Sequence, residues 1–242
     1  MLAQIEGKRI MADTETALIV GAGPGLSAAV ARLFASEGMT VALAARHPEK
    51  LADLTADIGA TAHACDAADS ASVASLFDAV TADMGTPDVV LYNPSSRVRG
   101  AIETLDPEAV RDAILISCFG GFLVGQAAAK AMIQKGSGTI LFTGASASIK
   151  GYANSSCFAM GKFGLRGLAQ SMARELQPKN IHVAHFVIDG GIAKADDPRA
   201  ADRGPDGLLL PDEIAKTYLH AHRQHRSAWT FEFELRPWVE KF

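Results

Sequence analysis

The stretch Ala17-Leu-Ile-Val-Gly-Ala-Gly-Pro-Gly-Leu-Ser27 limits the possible folds of this chain more than any other part of it. A short apolar run stops at three glycines and a proline, then passes into Ala28-Ala-Val-Ala-Arg-Leu-Phe34, whose apolar residues recur at helical spacing. Strand, tight turn and helix in that order make a phosphate cradle. Glycines let the backbone bend sharply and approach a pyrophosphate without a Cβ clash, while free N–H groups and the positive helix end face the anion. Glycines alone also suit an ordinary turn; their position between a strand and a helix is what points to a nucleotide.

The rest of the chain repeats the alternation. Residues 40–45 read as a second strand, and 48–58 as a helix with Pro48 in its first turn. A weaker third strand over 60–65 leads to a helix from Ser70, with Val73, Leu76, Phe77 and Val80 as its apolar stripe. Residues 88–92 form a fourth strand. Asp106-Pro107-Glu108 starts a helix by three signals, a capping side chain, a proline and an acid at the positive end. That helix runs towards Gln134, with Gly120 and Gly121 as an internal weak point. Strands over 138–143 and 181–188 flank a long helix over 158–176, which stops before Pro178. Residues 196–211 read as a mobile surface loop, 211–226 as a last helix and 229–235 as a last strand. The pattern predicts one α/β domain over residues 17–242. It is a doubly wound Rossmann-type fold, a mostly parallel sheet of about seven strands with helices on both faces. Residues 1–16 read as a tail or extension, with Met11 an alternative start.

Composition excludes several functions. A net charge of -4 and a pI near 6.0 give no general attraction to nucleic acid or anionic membrane, so neither partner is expected. The apolar stretches are strand-length or broken by Gly, Ser and charge, and the N-terminus lacks the apolar core of a signal peptide, so a cytoplasmic protein is expected. Cys65, Cys118 and Cys157 are widely spaced and suit reduced, buried thiols. No metal is expected: His220, His222 and His225 cluster, but no second ligand group is suitably spaced.

With these residues placed, the chain resembles the short-chain dehydrogenase/reductase family from about residue 17 to 235. The family turn Thr-Gly-x-x-x-Gly-x-Gly falls on Val20, Gly21, Gly25 and Ser27, so two of its three glycines are kept. The resemblance implies that Gly21, Gly23, Gly25 and Leu26 hold a dinucleotide, with Asp66 at the adenine and Asn93 at the start of the motif after the fourth strand. After the sixth strand, Gly190 and Ile192 join the cofactor site, with Asp189 in place of the usual proline and Lys194 where a threonine often stands. Ala45 occupies the place of the acid that binds a ribose 2′-OH, and Arg46 follows it. Arginine pairs with a 2′-phosphate, so NADP is expected over NAD.

The catalytic motif departs from the family. Its Tyr-x-x-x-Lys pair becomes Phe158-Ala-Met-Gly-Lys162: the lysine that binds the nicotinamide ribose is present, and the phenol that exchanges a proton is not. The family serine position falls on Ala145, beside Ser146, and the family asparagine maps to Ser117. Three substitutes are therefore expected: Ser146 at the substrate oxygen, a water on Ser117, or the phenol of Tyr152. The resemblance implies a small carbonyl or alcohol as substrate and a homo-dimer or homo-tetramer. Exposed-looking aromatics in residues 236–242 also suit a subunit contact. Two functions stay open, an NADP-linked oxidoreductase with a non-standard proton relay and a dinucleotide-binding protein without turnover.

Overall fold

The computed structural model describes residues 14–240, so the expected tail and its Met11 start lie almost wholly outside the described residues. Seven strands run β1 (Thr16–Val20), β2 (Thr40–Ala45), β3 (Thr61–Ala64), β4 (Val89–Tyr92), β5 (Gly138–Thr143), β6 (Ile181–Ile188) and β7 (Glu232–Leu235). They form one parallel sheet in the order β3-β2-β1-β4-β5-β6-β7. The order reverses beside β1, where successive connections cross to opposite faces and leave a crevice at the carboxyl ends of the strands.

Among the described residues there are eight helices: α1 (Leu26–Ser36), α2 (Ala52–Ile58), α3 (Ser70–Met84), α4 (Pro107–Ile114), α5 (Gly120–Lys135), α6 (Ser156–Leu176), α7 (Arg199–Arg203) and α8 (Pro211–Arg223). Strands buried on both faces need apolar side chains on both, which is why β1, β4 and β6 are nearly unbroken apolar runs. On one face Ala17 and Ile19 pack with Val30 and Phe34 of α1 and Tyr218 of α8. On the other, Leu18 and Val20 join Val73 and Phe77 of α3, Val124 and Met132 of α5 and Leu165 of α6.

The helix expected from Asp106 to Gln134 is interrupted just before its glycines. Leu115–Phe119 is a π-helical turn between α4 and α5. Such a turn leaves a carbonyl without its regular partner, and the hydroxyl of Tyr92 donates to the carbonyl of Ile116 there. The glycines serve packing. A Cβ on Gly120 would come 2.5 Å from the Tyr92 hydroxyl and 2.6 Å from the Ala67 carbonyl. The run Pro107–Lys135 is long and apolar enough to cross a membrane, yet Gly120, Gly121, Val124, Ala128 and Met132 are buried in this fold.

Other boundaries moved for local reasons. α6 begins two residues before Phe158, and α8 ends at Arg223 because Gln224 turns extended and its side chain takes the amide of Thr230. Trp229, expected in the last strand, lies outside β7 and stacks on His182 at 4.9 Å. The expected 196–211 loop contains the short α7. The clustered histidines diverge: His222 bonds Thr139 at 3.0 Å, His225 bonds Ser227 at 2.8 Å, and His220 meets Phe233 edge-on. Trp238 stays exposed while its indole donates to Pro205 of the same chain.

Candidate functional site

The glycine turn sits where β1 ends at the crevice. Gly21 has φ +82°, and a Cβ there would lie 2.6 Å from the Pro94 nitrogen, so only glycine fits. Its N–H and that of Ala22 both donate to Ala44, at 2.9 and 3.0 Å, which ties the turn to β2. Gly23 and Gly25 face open space, with nothing within 4 Å of a would-be Cβ. The N-terminus of α1 has no side-chain cap and no acid in its first turn. An open, uncapped helix start is suited to a phosphate.

Ser27, expected at the family's third glycine position, is buried and bridges two elements. Its hydroxyl donates to Gly21 O at 2.9 Å and accepts from Asn93 Nδ2 at 2.7 Å. Asn93, expected to face the cofactor, thus braces the turn from the end of β4. The hydroxyl is accommodated because that amide gives it a partner.

Two adjoining hollows share Gly21, Gly23, Asn93 and Ser95 and make one groove. The first, about 550 Å³, takes in Arg46, Lys50 and Asp66. Arg46 is exposed at the tip of β2. The Asp66 carboxylate accepts from Ala68 N at 3.0 Å, and its own N–H donates to Ser72 at 3.0 Å, which fixes the turn below the groove. The second hollow, about 510 Å³, is lined by Gly25 and Leu26, by Phe158 and Lys162 of α6, and by Gly190 and Ile192 beyond β6. The expected cofactor residues are therefore all on one surface.

Lys162 is the most perturbed group there. One turn from Phe158 on the same helix face, it is 2% exposed and its Nζ donates to Thr143 O at 2.8 Å. Burial, and then the nearby charge of Arg97, push its ammonium down to about 7. Phe158 is also buried, with the Arg97 guanidinium 3.9 Å over its ring centroid. Behind Gly144, His185 is fully buried against Glu232 at 3.0 Å, and Glu232 is held by both forks of Arg166 at 2.7 Å. Burial pushes this imidazole down to about 4, so it is neutral and adds no charge beneath the hollow.

The three substitutes for the phenol lie elsewhere. Ser117 is 1% exposed, and its hydroxyl is used twice by Ser96, accepting from its N–H at 3.0 Å and donating to its carbonyl at 3.2 Å. It braces the loop after β4. Ala145, not Ser146, lines the hollow, and the hydroxyl that turns back to Ala145 belongs to Ser148. Tyr152 is 46% exposed with its ring 5.7 Å from Lys150, outside the hollow's lining.

Arg97 was not singled out from the sequence. The available signal was a pair of arginines, Arg97 and Arg99, in a loop without acids at the carboxyl end of a core strand. Also missed was the role of Asp189. Its nearly buried carboxylate lies 3.1 Å from Arg236 and 3.7 Å from Lys150, while Pro237 closes over Gly190.

Residues 15–196 match the family model described as short chain dehydrogenase. The chain belongs to that family. D-threitol dehydrogenase of Mycolicibacterium smegmatis is 30% identical over 219 residues, 84% of each chain. A short-chain dehydrogenase from Rhodopseudomonas palustris shares 38% identity and superposes with a TM-score of 0.80, over 93% of this chain and 99% of that one. A metagenomic short-chain oxidoreductase, solved in complex with NADP, has 28% identity and a TM-score of 0.81 over 93% and 98%. The short-chain dehydrogenase fold, the glycine turn and the groove above it thus stand together in this chain.

Proposed function

We propose that this short-chain dehydrogenase is a cytoplasmic, NADP-linked oxidoreductase acting on a small carbonyl or alcohol, with Lys162 as the proton-transfer group in place of the family phenol. The observation that carries this reading is the single groove that joins the uncapped start of α1 to Lys162. A bound nicotinamide dinucleotide would supply or accept the hydride. The open N–H groups around Gly23, Gly25 and Leu26 suit its diphosphate, Arg46 a 2′-phosphate, Asp66 the adenine side, and Gly190 and Ile192 the far end, with Asn93 bracing the turn. The neighbour solved with NADP supports the choice of dinucleotide.

Lys162 carries three N–H donors when protonated. Thr143 takes one, which leaves two for a ribose hydroxyl and the substrate oxygen. With its ammonium near 7, both protonation states are populated at neutral pH. The ammonium gives its proton to a carbonyl oxygen during reduction, and the amine takes one from an alcohol during oxidation. Ser117, Ser146 and Tyr152 have structural or rim roles in this reading. Exposed Phe119 and Phe122 of the π-turn and α5, with Met160 and Phe163 of α6, support a homo-dimer or homo-tetramer through these helices. The three cysteines are unpaired, which suits the cytoplasm.

Phe158 favours a second reading, a dinucleotide-binding protein without turnover, because a phenyl ring has no proton to exchange. Titration of NADPH and NADH by tryptophan fluorescence, followed by an absorbance screen of carbonyls and alcohols, decides between them. We expect tight NADPH binding and slow turnover by the parent, with Phe158→Tyr faster by about 10²-fold. NADPH binding without turnover, beside an active Phe158→Tyr, would establish the second reading instead. Arg46→Ala tests the dinucleotide assignment separately. It should weaken NADPH about tenfold more than NADH, since a charge-assisted fork to a phosphate is worth about 1.5–3 kcal/mol. Equal losses for both reject NADP preference.

A further inference from the structure

The substrate half of the groove has a charge imbalance that the dinucleotide alone does not explain. Among the described residues its lining contains Arg97, Lys162, Lys194 and Arg199 and no carboxylate. Arg199 is paired with Asp197 at 2.5 Å, and the nearest buried acid, Asp189, faces Arg236 and Lys150. Lys162 is assigned above to the reacting oxygen. Arg97 and Lys194 remain, neither side chain paired with a carboxylate among the described residues, and Arg97 is the one that stacks on Phe158 and lies close enough to Lys162 to perturb it.

The surroundings of Arg97 make an anion more favourable still. The charged groups that perturb it or are perturbed by it are both cations, Arg99 and Lys162. Arg97 and Arg99 are exposed and Arg99 lies outside the lining, but Lys162 is buried in the hollow beside Arg97, and a ligand anion between those two like charges offsets their repulsion. Geometry points the same way. The guanidinium rests with its centre 3.9 Å over the Phe158 ring, and a stacked guanidinium keeps its edge N–H groups for a planar bidentate acceptor. Phe158 is itself buried, so the platform is fixed. The base of the loop is fixed as well, by the two bonds from Ser96 to Ser117.

We propose that the substrate carries a carboxylate, bound by the guanidinium of Arg97 with Phe158 as its platform, beside the carbonyl or alcohol that reacts at Lys162. The proposal rests on the oxidoreductase reading for the word substrate, but the anion site itself is tested without turnover. The position occupied by a phenol in relatives with the family motif becomes here the floor of a specificity site.

The test is calorimetric titration of benzoate and its neutral isostere benzamide into the full chain, with and without saturating NADPH. The parent is expected to bind benzoate at least about tenfold more tightly than benzamide, the preference of a charge-assisted pair. Arg97→Gln should bring the two within about twofold of each other, and Arg97→Lys should restore part of the preference because it keeps the charge and loses the fork. NADPH affinity should change less than about twofold in Arg97→Gln, which separates this site from the dinucleotide site. Equal binding of acid and amide by the parent, no benzoate binding at millimolar concentration, or a benzoate preference that survives Arg97→Gln overturns the proposal. A parent that fails to bind NADPH while keeping the benzoate preference overturns the oxidoreductase reading and leaves the anion site standing.

Discussion

Lys162→Met should stop turnover and stabilise the fold in the same variant. Removing a general acid costs roughly 10²–10⁴-fold in rate, and in the proposed reading the ribose ligand goes with it. The stability effect has the opposite sign. An ordinary lysine titrates near 10.5 and this one near 7, a difference equivalent to roughly 5 kcal/mol at or below neutral pH. Methionine removes that penalty but leaves the Thr143 carbonyl without its donor, at a cost of about 1–3 kcal/mol. A net gain of about 2–4 kcal/mol is expected at pH 6.

The pH dependence follows from the same shift. Because the folded value is depressed, the unfolded chain holds more protons between about 7 and 10.5, so the parent gains stability as pH rises through that window. Below 7 both states are protonated and the penalty is constant. Urea midpoints at pH 6 and pH 10 should therefore converge between parent and Lys162→Met as pH rises. A gap independent of pH would remove the buried ammonium from the account. In activity, kcat/KM for reduction should fall above about 7 and kcat/KM for oxidation should rise.

Gly21→Ala carries the second large effect, and it falls on fold and dinucleotide together. The new Cβ would meet the Pro94 nitrogen at 2.6 Å and its ring carbons at 2.7 Å, which are not flexible side-chain ends. A left-handed backbone adds about 1–2 kcal/mol for an L-residue, and the forced displacement about 1–3 kcal/mol. Moving Pro94 also pulls Asn93 from Ser27, the contact that holds the turn in shape. We expect a loss of about 2–5 kcal/mol and NADPH affinity down by more than about 10²-fold. Gly23→Ala is the control. Nothing lies within 4 Å of its Cβ, so its melting temperature should match the parent. If Gly21→Ala melts with the parent as well, the close approach to Pro94 is not limiting.

Gly21 also shows what could be read from the chain without coordinates. A sharp turn between an apolar strand and a helix needs glycine for local reasons, and local reasons are written in neighbouring residues. The alternation of strands and helices along the chain likewise announced a parallel sheet covered on both faces, and the apolar runs at 17–20 and 89–92 became strands buried on both sides. Lys162 was placed by its one-turn spacing from Phe158. The substitutes for the phenol were a different kind of question. Whether Ser117 holds a water depends on Ser96, which is twenty-one positions away and takes both uses of the hydroxyl. Arg97 reaches Phe158 only because β4 and α6 meet at the same end of the sheet. Such pairings depend on where elements dock, and periodicity has no information about that.

The π-helical turn at Leu115–Phe119 is where this stretch of chain stores one extra residue. A π turn takes about one residue more than an α turn for nearly the same rotation, so Ala113 ahead of it, and Gly120 and Gly121 under Tyr92 and Leu165 behind it, keep the faces that a regular helix one residue shorter would give them. The stored residue is not silent. Closing the turn by a one-residue deletion would remove the spare Ile116 carbonyl that Tyr92 uses and shift Ser117 from Ser96, and with it the loop that aims Arg97. The extra residue thus acts as a peg for the pocket, and its loss would alter ligand choice while the helices on either side stayed docked.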